Sequence, residues 1–201
     1  MVVPGIFGYN PNIKPWPYDP AKAKQLLEEA RKDGIPVDRE ILMVGRTGMY
    51  PNNAELMEAV MTMYKAIGLN VKLMMAETGV HIRYRDKPRG RDAGAFIIEN
   101  QHDNDKGDAV FTVFGMYSCG GLRSSVCDKV LDEMLVKAQA ASGEERRKLF
   151  QEAFRRLHDE IIPDVVLFHQ VGYLRVGKRI TFKPSLASNS EIQLAKIAFK
   201  K

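Results

Sequence analysis

The stretch from Glu40 to Ala76 constrains this chain more than any other part of it. Glu40-Ile41-Leu42-Met43-Val44 reads as a strand, and Gly45 to Asn53 as a loop with Gly48, Pro51 and two asparagines, either able to cap the next helix. Leu56, Val60, Met63, Tyr64 and Ile67 then share one helical face, and Gly68 stops the helix. Val71 to Ala76 is a second strand. Strand, helix and strand at this spacing make a βαβ unit, with parallel strands and a right-handed crossover. Six methionines, Met49, Met57, Met61, Met63, Met74 and Met75, crowd the region. Their flexible thioethers suit core gap-filling and would also suit an adaptable ligand surface.

The second feature is Ala93 to Asp108, AGAFIIENQHDNDKGD. Ala95-Phe96-Ile97-Ile98 predicts a strand buried on both faces. It opens at once into Glu99, Asn100, Gln101, His102, Asp103, Asn104, Asp105 and Asp108. In an open α/β sheet ligands bind beyond the carboxyl ends of the strands, which makes this segment the candidate site. Asn, Asp and Gly are also good turn formers, so composition alone does not separate a site from a turn. An EF-hand reading fails: counted from Asp103, Gly107 falls fifth rather than sixth, and no Glu stands twelfth.

The remaining elements follow in order. Residues 1–18 hold Pro4, Gly5, Gly8, Pro11, Pro15 and Pro17 and read as an extended strap. Asp19 caps a helix with Pro20 at its first position and Ala23, Leu26, Leu27 and Ala30 on one face, ended by Gly34. Thr78 to Lys87 predicts a short helix; Ala109 to Tyr117, apolar and aromatic, suits helix or strand, with a short helix packed near the candidate site the favoured reading. Two longer helices follow: Asp128 to about Ala141, then one opened by a Ser142/Glu145 capping box and stopped by Pro163. Val165 to Phe168 reads as a buried strand and Gly172 to Val176 as a short one. Ile192 to Phe199 reads as a last strand with no evident partner, which is a liability unless something outside the chain supplies a neighbour.

Composition narrows the function classes. The 201 residues carry a formal net charge of +5, but cations and acids interleave along the chain. The local cluster Arg83, Arg85, Lys87, Arg89 and Arg91 reads as a solvated face, and nucleic acid is not an expected partner. No apolar run approaches the roughly 20 residues of a membrane helix. The first residues, MVVPGIFGYNPN, do not have the form of a signal peptide, and they look like chain cut from something longer. Cys119 and Cys127, the only cysteines, close a disulfide loop in an oxidising compartment or stay thiols in a reducing one; the sequence leaves both open. There is no GxSxG, P-loop, HExxH or GxGxxG in a strand-to-helix setting. His81, His158 and His169 stand isolated in sequence, and Tyr50, Tyr84 and Tyr173 have no assignable partners. No nucleophile, base and orienting group assemble, so an enzyme is not expected.

Three blocks together carry a resemblance: YDPAKAKQLLEEARKDGIP (Tyr18–Pro36), ELMEAVMTMYKAIGLNVKL (Glu55–Leu73) and GEERRKLFQEAFRRLHDEIIPDVVLFHQVGYLRV (Gly143–Val176). In this order they resemble the extracellular solute-binding proteins of peptide/nickel-type ABC importers. The resemblance implies an α/β, periplasmic-binding-protein-like lobe with βαβ units, flanking helices and a mixed sheet. It divides the chain into a strap (1–18) from a missing N-terminal lobe, a C-terminal lobe (19–177) and a tail (178–201) returning toward the missing part. It implies a periplasmic location, no cofactor or metal, an ABC permease as partner, and a peptide or other small polar solute as ligand. Asn100, His102, Asp103 and Asp108 are the expected ligand-facing groups. Where peptide-binding members often carry a W-xx-D-xx-DP segment, this chain has NQHDNDKGD; its only Trp is Trp16. Asp105 and Asp108 are the acids available in place of that motif's. The rival expectation is an α/β enzyme or regulatory domain that uses the His102–Asp108 loop for a metal.

Overall fold

The computed structural model describes residues 2–89, 94–103, 105–185 and 192–200. Arg91, Asn104 and the stretch 186–191 lie outside the described residues. Contacts group the chain into two compact units, one of Pro15–Gln101 and one of Met1–Lys14 with His102–Lys201. The division falls inside the span 19–177 that the sequence reads as one lobe.

The unit of residues 15–101 holds α1 (Pro20–Lys32), β1 (Ile41–Arg46), α2 (Asn53–Ile67), β2 (Val71–Ala76), α3 (Thr78–Arg85) and β3 (Ala95–Ile98). The strands form a parallel sheet in the order β2-β1-β3, with Ile41 opposite both Val71 and Ala95. β1 is therefore central, and Met43 and Val44 are fully buried. Met43, Met57 and Val71 form the core, with Val60, Tyr64 and Ile97 packed against it, so these methionines serve as filling. β3 differs from its expectation. All four of its residues are only half-buried, because among the described strands it is an edge with β1 on one side only.

Local signals explain the helix ends. The Asp19 carboxylate accepts from Lys22 N–H at 2.9 Å over Pro20 in the first turn. Gly68 closes α2 at φ +105°, a conformation glycine adopts without a Cβ clash. Asn52 is the N-cap of α2 but makes no side-chain cap bond, and the Asn53 amide is engaged elsewhere. The apolar stripe of α1 is not core: no α1 residue is buried and Leu26 is exposed.

The other unit is helical. It contains α4 (Val110–Tyr117), α5 (Lys129–Ala140) and α6 (Gly143–Arg156), which runs into a π turn at Leu157–Ile161 before Pro163. Leu131 and Leu135 of α5, Phe150 and Phe154 of α6, and Val113 of α4 meet in a fully dry core. The strap joins it: Val2 and Ile6 are buried, and Phe7 exchanges backbone hydrogen bonds with Gly107 and Ala109. Gly8 allows this close approach, since a Cβ there would sit 2.8 Å from that of Ala109. Cys119 and Cys127 are joined by a disulfide. Asp128 caps α5 through Leu131 N–H and also pairs with Arg156. The Ser142 capping box does not form. Gly143 enters α6 at φ +56°, and the Ser142 side chain makes no cap bond to the first turn.

Three strand expectations in the C-terminal region are corrected. Val165–Phe168 and Gly172–Val176 belong to no helix or sheet, and they are exposed, Val165 by 69% and Tyr173 by 91%. Their strand-like composition meets no sheet edge among the described residues. Of Ile192–Phe199, only Ala198–Phe199 is strand (β5), and it does have a partner, the antiparallel Ile180–Thr181 (β4).

Candidate functional site

Because β1, β2 and β3 are parallel, their carboxyl ends, Arg46, Ala76 and Ile98, lie at one end of the sheet. Glu99 is the first residue beyond β3. Its N–H still donates to the Val44 carbonyl at 2.8 Å, and its side chain turns inward, with the residue only 8% exposed. Oε2 accepts from Arg46 N–H at 3.0 Å and from Asn53 Nδ2 at 3.2 Å, and Oε1 accepts from the Tyr50 hydroxyl at 2.6 Å. Asn53 Nδ2 also donates to the Arg46 carbonyl at 2.7 Å. Burial, and then the bond to Glu99, push the Tyr50 phenol above its ordinary range. Gly45 leaves room here: a Cβ would sit 2.6 Å from Met75 Sδ, so that the flexible Met75 side chain would have to shift, and 3.3 Å from Glu99 Oε2.

His81 of α3 completes the cluster. It is fully buried, with Nε2 2.7 Å from the Glu99 carbonyl oxygen. That acceptor selects the tautomer with the proton on Nε2 and leaves Nδ1 an acceptor, which has no partner among the described residues. Burial lowers the His81 pKa; the carbonyl contact opposes this, and the nearby Arg85 and Arg46 reinforce it. His81 and Tyr50, isolated when read in sequence, therefore meet at a single residue, His81 at the Glu99 carbonyl and Tyr50 at its carboxylate. Their separations from Glu99, 18 and 49 positions, explain why no local pattern signals it.

The four expected ligand-facing residues divide between the units. Asn100 follows Glu99 in the sheet unit and is exposed. His102, Asp103 and Asp108 belong to the helical unit. His102 is half-buried, with Nε2 2.8 Å from Thr112 Oγ1 on α4, while Asp103 is exposed. Asp108 is committed within its own unit. Arg146 donates to both of its oxygens at 2.7 and 2.9 Å, and Val110 N–H donates to Oδ1 at 2.9 Å. Burial pushes the Asp108 carboxyl up, but the Arg146 and Val110 hydrogen bonds outweigh it and hold the group below its usual range. The Arg146 guanidinium also lies over the rings of Phe7 and Phe150, 4.9 and 4.7 Å from their centroids. Asp108 thus ties strap, loop and α6 together.

Among the described residues, no group of three or more His, Cys, Asp or Glu side chains is placed to hold a metal ion. In the cationic segment, Arg85 pairs with Asp86, and Arg89 donates to the carbonyls of Tyr84 and Arg85.

A parallel sheet flanked by helices, with a polar exit at its carboxyl end, defines an α/β protein. The comparisons agree. Residues 1–121 match the model of the bacterial extracellular solute-binding proteins, family 5, middle region. Di/tripeptide-binding protein 2 of Pseudomonas aeruginosa is 30% identical over 186 residues, which cover 89% of this chain and 33% of that protein. An ABC transporter-associated periplasmic binding protein from Helicobacter pylori, solved with a bound peptide, superposes with a TM-score of 0.63 at 24% identity, over 78% of this chain and 30% of that one. An oligopeptide-binding protein from Bacillus subtilis, solved with a nonapeptide, superposes with a TM-score of 0.66 at 14% identity, over 99% and 41%. The chain belongs to the family 5 extracellular solute-binding proteins. It spans about a third of the length of the curated relative it matches.

Proposed function

We propose that this chain supplies one wall of the ligand cleft in a solute receptor of a peptide-type ABC importer, with the opposing wall supplied by sequence outside it. The observation that carries the reading is the polar segment at the carboxyl end of β3, in a chain related to a di/tripeptide-binding protein. Asn100, His102 and Asp103 are the ligand-facing groups, short peptides or similar polar solutes the ligand class, and a membrane permease the partner. Asp108, held by Arg146 and Val110 N–H, is not counted among them. Ligand would favour a closed state by touching both walls, and no bond is made or broken. The Cys119–Cys127 disulfide suits a location outside the cytoplasm. The exposed apolar segment around Val165–Phe168, and the tail from residue 178, would pack on the part of the receptor outside this chain.

Isothermal titration with trialanine tests this. A longer parent protein containing both walls should bind, and the 201-residue chain should bind at least about tenfold more weakly, since it loses half the contacts. Equal affinities would refute the shared cleft.

A further inference from the structure

The geometry points to Glu99 as the positioning residue of the ligand segment: its carboxylate fixes the direction in which the chain leaves β3 and so sets where Asn100 stands. This inference rests on the reading of that segment as ligand-facing.

Every polar group of Glu99 is bonded to a different part of the sheet unit. The N–H is held by Val44 of β1, the carbonyl by His81 of α3, and the carboxylate by Arg46 N–H, Tyr50 and Asn53 at the start of α2. The hydrogen bonds come from β1, the loop after it and two helices, and they converge on the one residue between the last strand residue and the exposed Asn100. Among the described residues no Lys or Arg side chain pairs with this acid; its carboxylate donors are a backbone amide, a phenol and a carboxamide. Such a group is an expensive way to obtain stability. An apolar side chain would fill the space without desolvating a carboxylate. What the carboxylate adds is direction, because three donors at 2.6–3.2 Å define its position in a way that apolar packing does not. The edge position of β3 makes this necessary. With β1 on one side only, its carboxyl end has half the ladder bonds of a central strand, and the side-chain bonds replace them.

The test is backbone amide relaxation by NMR on the 201-residue chain. In the wild type, Arg46, Glu99 and Asn100 should show order parameters near 0.85. Glu99→Ala should drop Asn100 below about 0.6, with Met43 and Leu135 unchanged. Glu99→Gln should restore it, since its carbonyl can accept from Arg46 and Asn53 while its amide turns to the Tyr50 oxygen. An unaltered Asn100 in Glu99→Ala, or a loss spread through the whole sheet, would overturn the proposal. So would a failure of Glu99→Gln to restore order. Should Glu99→Ala not fold, Tyr50→Phe removes one donor only, and an unaltered Asn100 there counts equally against it. If the longer parent binds no trialanine, the cleft reading falls, while the relaxation result still decides what Glu99 does.

Discussion

Two acids stand nine positions apart around the same polar segment, and the fold treats them in opposite ways. Glu99 is buried in the sheet unit among neutral donors, at the end of an edge strand. Asp108 is half-exposed in the helical unit, chelated by Arg146, whose guanidinium stacks on two phenylalanines. The first arrangement orients one residue; the second clamps three pieces of chain. An acid's use is decided by which donors the fold brings to it, and those donors are distant in sequence. Between them, Asn100 and Asp103 are exposed, and Gln101 and His102 are half-buried.

Breaking each acid's partners should separate the two roles. Arg146→Ala should have the larger effect on stability, about 3 kcal/mol in urea unfolding, because it strands Asp108 and removes the stacking on Phe7 and Phe150. Glu99→Ala should cost less, about 1–2 kcal/mol, since Tyr50 and Asn53 can turn toward water. A larger loss for Glu99→Ala would reverse the comparison.

Acid sharpens it further. The folded pKa of His81 is lowered, so its contribution is fully present above the unfolded value of 6.5 and is lost as pH falls through the folded one. Asp108 is also lowered, from 3.8, and its contribution survives to more acid pH before it fails in the same way. Unfolding midpoints from pH 7 to 5 should therefore decline through His81, and His81→Gln should flatten the decline. An unchanged slope in that variant would show that His81 is not its source.

Much of this is legible in the sequence. The βαβ unit stands out because two short apolar runs flank a stretch of helical period, punctuated by Gly45 and Gly68, which are local signals. The short helix after Asp108 and the stop at Pro163 were equally local. The Glu99 cluster was not, since Arg46, Tyr50 and Asn53 lie 46–53 positions away and only the parallel register brings them in. Asp108 was visible as an acid but not as a clamp, because Arg146 is 38 positions distant. Val165–Phe168 misled for a different reason. Branched and aromatic residues favour strands only where an edge is free to pair, and no described edge takes them.

The most direct measurement of the central claim is hydrogen exchange by mass spectrometry on a longer parent protein, with and without trialanine. The account predicts added protection in the fragments spanning residues 99 to 103, with the α5–α6 core unchanged. Measurable trialanine binding that leaves those fragments exchanging as before would contradict it.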